Sequence, residues 1–151
     1  MTDRDRDRSG RARNARPRDP LGRPMARTAG SAAPPDPPPL PPAEALARGQ
    51  QLLAESRPFE AHEVFEAVWK DPATPEGDRA LWRGLAQLAV GVTHRLRGNE
   101  KGAAALLRRA AESLAPEAGR QPHGVAVDGL RAWLATAAET PRMTDPPRLT
   151  G

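Results

Sequence analysis

His62, Glu63 and Glu66 stand within five positions of one another in the segment F-E-A-H-E-V-F-E-A-V-W, residues 59–69. An imidazole and two carboxylates are groups that move protons near neutral pH and that ligate ions such as Zn, Mn, Fe or Ni. On a helix, His62 and Glu66 are i, i+4 neighbours and Glu63 and Glu66 are i, i+3, so the three side chains can converge. Farther along, Gln87 and His94 share one side of an amphipathic stretch with Gly84 and Gly91, at spacings of three, four and three. Glycine costs about 1 kcal/mol relative to alanine inside a helix, so two on one face imply close approach of a neighbour. The segment carrying His62 is the adjacent helix in sequence. His62, Glu63, Glu66, Gln87 and His94 are therefore the candidate polar cluster, expected between the second and third helices.

Three chemistries compete for that cluster. A divalent metal is one, with His62, Glu66 and His94 as ligands, and a metal-dependent hydrolase using His62, Glu63, Glu66 and His94 is the alternative functional reading. The zinc signature His-Glu-x-x-His is not met, because Glu66 occupies the place of the second histidine. The doubled Glu-x-x-His of di-iron bundles is also missing. A metal-free enzyme would need a nucleophile: there is no cysteine, and Ser56, Thr93 and Ser113 lie in no recognisable elbow. An interaction or ligand-binding module ranks first. The plain counterpart to all three is a hydrogen-bonded network that fixes helix register. Whether the protein is an enzyme is left open by the residues.

These groups have to be positioned by helices, and the apolar spacing supplies them. A first helix is expected over about 43–55, with Leu46, Leu52 and Leu53 inward, and a second over about 59–70, stopping at Asp71-Pro72. At about 100° per residue, Ala61, Val64, Phe65, Val68 and Trp69 form its core arc, with His62 and Glu66 at the edge. Thr74-Pro75 reads as the N-terminus of a third helix reaching Arg97, with Leu81, Trp82, Leu85, Ala89, Val92 and Leu96 as its stripe. Gly98 suits a left-handed C-cap and Asn99 the next N-cap. A fourth helix to about Leu114 and a fifth over about 125–139 complete the set. No window alternates with period two, so the fold class is all-α, a compact bundle of about five helices.

Composition sets the limits around that bundle. Residues 1–42 carry nine Arg, five Asp and a proline run from Pro34 to Pro42, with little to bury, and are expected to be a disordered arm. Met25 offers a second start within it. The bundle domain is expected over 43–140, followed by a flexible tail over 141–151. The arm holds the whole formal net charge of +4, so the rest of the chain is balanced. A neutral domain with a basic arm implies only weak, salt-sensitive association with polyanions. No apolar signal segment is present, and Leu81 to Leu96 is too short and too polar to span a bilayer. A cytoplasmic protein is expected, with no membrane partner and a homo-oligomer left open.

Three blocks in order carry a family resemblance: F-E-A-H-E-V-F-E-A-V-W, then R-x-x-W-R-G-L-A-Q-L-A-V-G-V-T-H, then R-G-N-x-x-G-A-x-x-L-L-R-R-A. Over roughly residues 45–115 the chain resembles the family called domain of unknown function 309. The matching positions are Glu60, Ala61, His62, Glu63, Glu66, Trp69, Gly84, Leu85, Gln87, Ala89, His94, Gly98, Asn99, Gly102 and Ala103. The resemblance implies a small helical bundle and no established activity. The arm and the last helix lie outside it.

Overall fold

The computed structural model describes residues 37–143 and 145–151. The expected arm therefore lies outside the described residues up to position 36. Five α-helices follow: α1 Pro42–Ala54, α2 Pro58–Lys70, α3 Arg79–Leu96, α4 Glu100–Leu114 and α5 Val127–Ala138. Proline opens α1 and α2, where its missing N–H is no loss and its φ already suits a helix. Between them Ser56 takes a φ of 58°, turning the chain without a glycine. Gly98, at φ 81°, ends α3, and the Asn99 side chain accepts the Gly102 N–H at 3.1 Å to start α4, both as the sequence implies. No strand occurs among the described residues, and an isolated bridge pairs Val125 with Thr150.

Thr74 does something other than cap α3. Its hydroxyl donates to the Val68 carbonyl at 2.5 Å, closing the end of α2. The chain then enters α3 through a 3-10 turn, Glu76–Asp78. Arg79, the first residue of α3, donates to the Trp69 carbonyl at 2.5 Å and the Asp71 carbonyl at 3.2 Å. Cationic donors at a helix C-terminus satisfy its orphan carbonyls and complement its dipole. The α2–α3 turn is thus held by side chains that bond backwards onto α2.

α3 packs against both α2 and α4, while α1 packs on α2 and α5 on α4. Phe65 of α2 is fully buried and meets the fully buried Trp82 of α3, ring centroids 6.4 Å apart. Its other neighbour is Gly49 of α1, where even a methyl group would overlap the ring. One aromatic side chain therefore joins three helices. Trp69, one turn on, is only partly buried against the same core. On α3, a Cβ at Gly84 would come within 2.8 Å of Leu114, and one at Gly91 within 2.8 Å of Leu107. The glycine face of α3 thus receives α4, not α2.

The domain also reaches beyond its expected ends. Leu40 packs against the core before α1 begins. The C-terminal stretch, expected as a flexible tail over 141–151, is fastened to the bundle. Gln50 of α1 donates to the Pro147 carbonyl at 2.9 Å and accepts the Leu149 N–H at 2.8 Å. Leu149 is fully buried, and its carbonyl accepts from Ala126 at 2.9 Å. The Val125–Thr150 bridge takes the residues expected to open α5, which starts at Val127 instead. Arg95, 6% exposed, pairs with Glu100 and donates to the Ala137 carbonyl at 2.7 Å, tying the ends of α3 and α5 together.

The Gly49–Phe65 contact gives a direct test of this packing. Gly49→Ala is expected to cost about 1–3 kcal/mol by overpacking, and Phe65→Ala about 3–5 kcal/mol by leaving a cavity. In the double variant the new methyl occupies vacated space, so the combined loss falls short of the sum. Urea denaturation of the four proteins measures this. Strictly additive losses would show that the ring is not what excludes a methyl at position 49.

Candidate functional site

The packing of α2 decides which polar groups reach its outer edge. Ala61, Val64, Phe65 and Val68 are buried. The next positions round the helix, His62, Glu63, Glu66 and Lys70, line an open cavity of about 400 Å³. Asp71, just past the helix end, extends that wall, and Pro37 and Pro39 from the segment before α1 complete it. The Asp71 carboxylate also accepts the Ala73 N–H at 3.0 Å, which fixes the turn at Pro72. Sequence reasoning named His62, Glu63 and Glu66 but not Lys70, Asp71 or the two prolines. Lys70 was within reach of the same i, i+4 argument, since it stands four residues after Glu66. Nothing in the sequence signalled Pro37 and Pro39.

Glu66 holds the centre of this edge. Its Oε2 lies 2.5 Å from His62 Nε2, and its Oε1 accepts from Lys70 Nζ at 2.5 Å. Burial by itself would raise the Glu66 carboxyl. The His62 hydrogen bond and charge, followed by those of Lys70, outweigh it and hold the group down to about 2. Glu66 is thus an acceptor-only carboxylate, and His62 Nε2–H is the donor. That assignment leaves Nδ1 as the remaining polar atom of the ring. It is buried and has no hydrogen-bond partner among the described residues. In a neutral ring it is an unmet acceptor, in a charged ring an unmet donor, and either condition costs about 1–3 kcal/mol. The ring also packs beside that of Phe59, centroids 5.2 Å apart and tilted by 43°.

Gln87 and His94 take partners elsewhere. The Gln87 carbonyl oxygen accepts from the Ser113 hydroxyl of α4 at 2.6 Å. This follows from the glycine face: Gln87 shares it, and α4 is the helix that fills it. His94 Nδ1 lies 3.1 Å from Asn99 Nδ2, and because the Asn99 oxygen caps α4, the amide NH₂ donates and Nδ1 accepts. Burial, then the nearby Arg97 charge, lowers the His94 imidazole, in keeping with an accepting ring nitrogen. The five expected residues therefore divide into an α2 edge with His62, Glu63 and Glu66, an α3–α4 hydrogen bond with Gln87, and a helix-end contact with His94. The metal set His62, Glu66 and His94 is not assembled. Among the described residues, no group of three or more His, Cys, Asp or Glu is arranged to hold a metal ion.

The stretch from α1 into α4, residues 46–106, matches the family model described as Domain of unknown function (DUF309). Over this segment the chain is similar to the DUF309 family. No curated protein and no solved structure matches the chain. The DUF309 segment contains the whole α2 edge, Gln87 and His94, whereas Pro37, Pro39, Ser113 and α5 lie outside it. No helix among the described residues is long and apolar enough to cross a membrane.

The Glu66 network has a defined pH signature. A carboxyl lowered from its ordinary 4.5 to about 2 on folding contributes stability that is present above pH 4.5 and is lost as pH falls toward 2. The stability difference between the native chain and Glu66→Gln is expected to hold steady just above pH 4.5 and to shrink steadily below it. Chemical denaturation across that range measures the difference. A gap that widens on acidification would contradict an ionised, doubly bonded Glu66.

Proposed function

We propose that the DUF309 domain is a ligand-binding module whose site is the cavity along the outer edge of α2. The observation that supports it best is the cavity of about 400 Å³ lined by His62, a residue whose buried Nδ1 has no partner. Buried polar groups in folded proteins are nearly always satisfied, and an exception in a residue that lines a cavity is a mark of use more than of packing. A purely structural network would have closed on itself. Here Glu66 is satisfied on both oxygens, while the ring that bonds to it is satisfied on one side only.

The charge of the wall indicates the ligand class. Glu63, Glu66 and Asp71 set three carboxylates against the single ammonium of Lys70. Such a wall favours a small cation with several N–H donors, an amine or a guanidine, and disfavours an anion. Glu66, bonded to His62 and Lys70, orients the edge, and Asp71 at its end adds negative charge. His62 positions Glu66 and shapes the cavity.

The reading is tested by following backbone amide resonances of the full chain during titration with methylguanidine, propylamine and acetate. Saturable shifts confined to residues 59–72 are expected with the two cations and not with acetate. Glu63→Gln combined with Asp71→Asn is expected to abolish them while the rest of the spectrum stays folded. Shifts with acetate, or cation shifts that survive the double substitution, would overturn the assignment.

A further inference from the structure

The bundle is balanced in charge as a whole but not from helix to helix. From Arg79 to Leu114, the span of α3 and α4, the chain carries seven Lys or Arg against two Glu, and α3 itself has no acidic residue. Arg79 and Arg95 are taken up by backbone carbonyls and by Glu76 and Glu100. The other five, Arg83, Arg97, Lys101, Arg108 and Arg109, are exposed and make no hydrogen bond or ion pair among the described residues. We propose that the exposed face of α3 and α4 docks on double-stranded DNA, holding its phosphate backbone without reading its sequence.

The packing of the two helices gathers these cations on one surface. A Cβ at Gly84 would meet Leu114 and one at Gly91 would meet Leu107, so α3 and α4 run antiparallel along their length. Ser113 faces α3, since its hydroxyl bonds to Gln87, and Arg109 stands one turn before it on the same side of α4. Arg109 is thus level with the middle of α3, between Arg83 and Arg97. Those two lie about 21 Å apart along the helix. Lys101 and Arg108, two turns apart, form a second row on the outer side of α4. Glu112, level with Arg83, is the one carboxylate of the two helices without a partner among the described residues. After burial, the charge of Arg97 also lowers the His94 imidazole, so this field is not cancelled locally.

The spacing and the neighbours of these charges select the partner. Cations so far apart cannot converge on one small anion, whereas duplex DNA presents a charge about every 1.7 Å of its axis. A single strand is held largely by stacking on aromatic side chains, and Trp82, the only aromatic residue of α3 and α4, is fully buried. An anionic membrane calls for large apolar side chains beside the cations. Here Val90 and Leu106 are half-buried, and Ala105 is the one apolar residue at an exposed position of the two helices. Duplex RNA is recognised in large part through its 2′-hydroxyls, and the uncharged polar groups of the seam, Gln87 and Ser113, are bonded to each other. What the face offers is charge, which suits a DNA backbone.

The experiment uses the full-length protein throughout, so the arginine-rich sequence before residue 37 contributes to every measurement alike. Binding to a short DNA duplex of mixed sequence is followed by fluorescence anisotropy from about 50 to 200 mM salt. The native chain is compared with a five-site variant carrying Arg83→Gln, Arg97→Gln, Lys101→Gln, Arg108→Gln and Arg109→Gln. The variant is expected to bind at least about tenfold more weakly at the lowest salt, with a log–log salt slope shallower by about 4, as five lost phosphate contacts require. Glu112→Gln is expected to bind several-fold more tightly, a gain that misfolding cannot imitate. Equal affinity and slope in the native chain and the five-site variant would overturn the proposal, because the sequence before residue 37 would then carry all the binding. No binding by the native chain would overturn it as well. Tighter binding to a single strand, an RNA duplex or phosphatidylserine vesicles than to the DNA duplex would overturn the choice of partner.

Discussion

Phe65 determines how α2 can sit, and most of the rest follows. The ring enters a slot whose floor is Trp82 on α3 and whose rim is Gly49 on α1. Only a residue without a Cβ leaves room for it, so α1 and α2 can approach in one register. With Phe65 turned inward, the 3.6-residue period places Ala61, Val64 and Val68 beside it and sends His62, Glu66 and Lys70 to the opposite margin. The polar edge is therefore a geometric by-product of an apolar contact.

The electrostatics of that margin are self-contained. Glu66 is bracketed by partners one turn before and one turn after, so its charge is matched within its own helix. Besides holding the carboxyl ionised, these two pairs fix the orientation of the edge. What is not matched locally is the imidazole's second nitrogen. A helix can satisfy one side of a ring by i, i+4 bonding, but the other side faces whatever lies off the helix. That asymmetry separates a surface salt bridge from a candidate site.

The helices were legible because their signals are local. Apolar spacing, the prolines that open α1 and α2, Gly98 and Asn99 each act over a few residues. The His62–Glu66 pair was legible for the same reason. Gln87 and His94 were assigned to the wrong neighbourhood, since spacing says which residues share a face of α3 but not which helix occupies that face. Leu107 and Leu114, not α2, fill the hollows left by Gly91 and Gly84, and no periodicity in α3 announces it. Thr74 looked like a cap because threonine before proline usually begins a helix. Its hydroxyl instead found a carbonyl at the end of α2, a contact that depends on how the turn folds back. The C-terminal stretch, rich in proline and polar groups, gave no local sign that Leu149 is core.

The clamp made by Gln50 joins residues 99 positions apart, by way of Leu149. Each of the four preceding helix pairings is between neighbours in sequence and can form as the polypeptide leaves the ribosome. The clamp cannot, because residue 149 is synthesised after all five helices. Of the side-chain contacts described, this closure spans the most sequence and is the most exposed to delay by loop entropy. Until then Gln50 lacks both of its partners and the core lacks Leu149. A nascent chain stalled before residue 149 would show helices in place and one apolar seam unsealed, the kind of surface that chaperones hold.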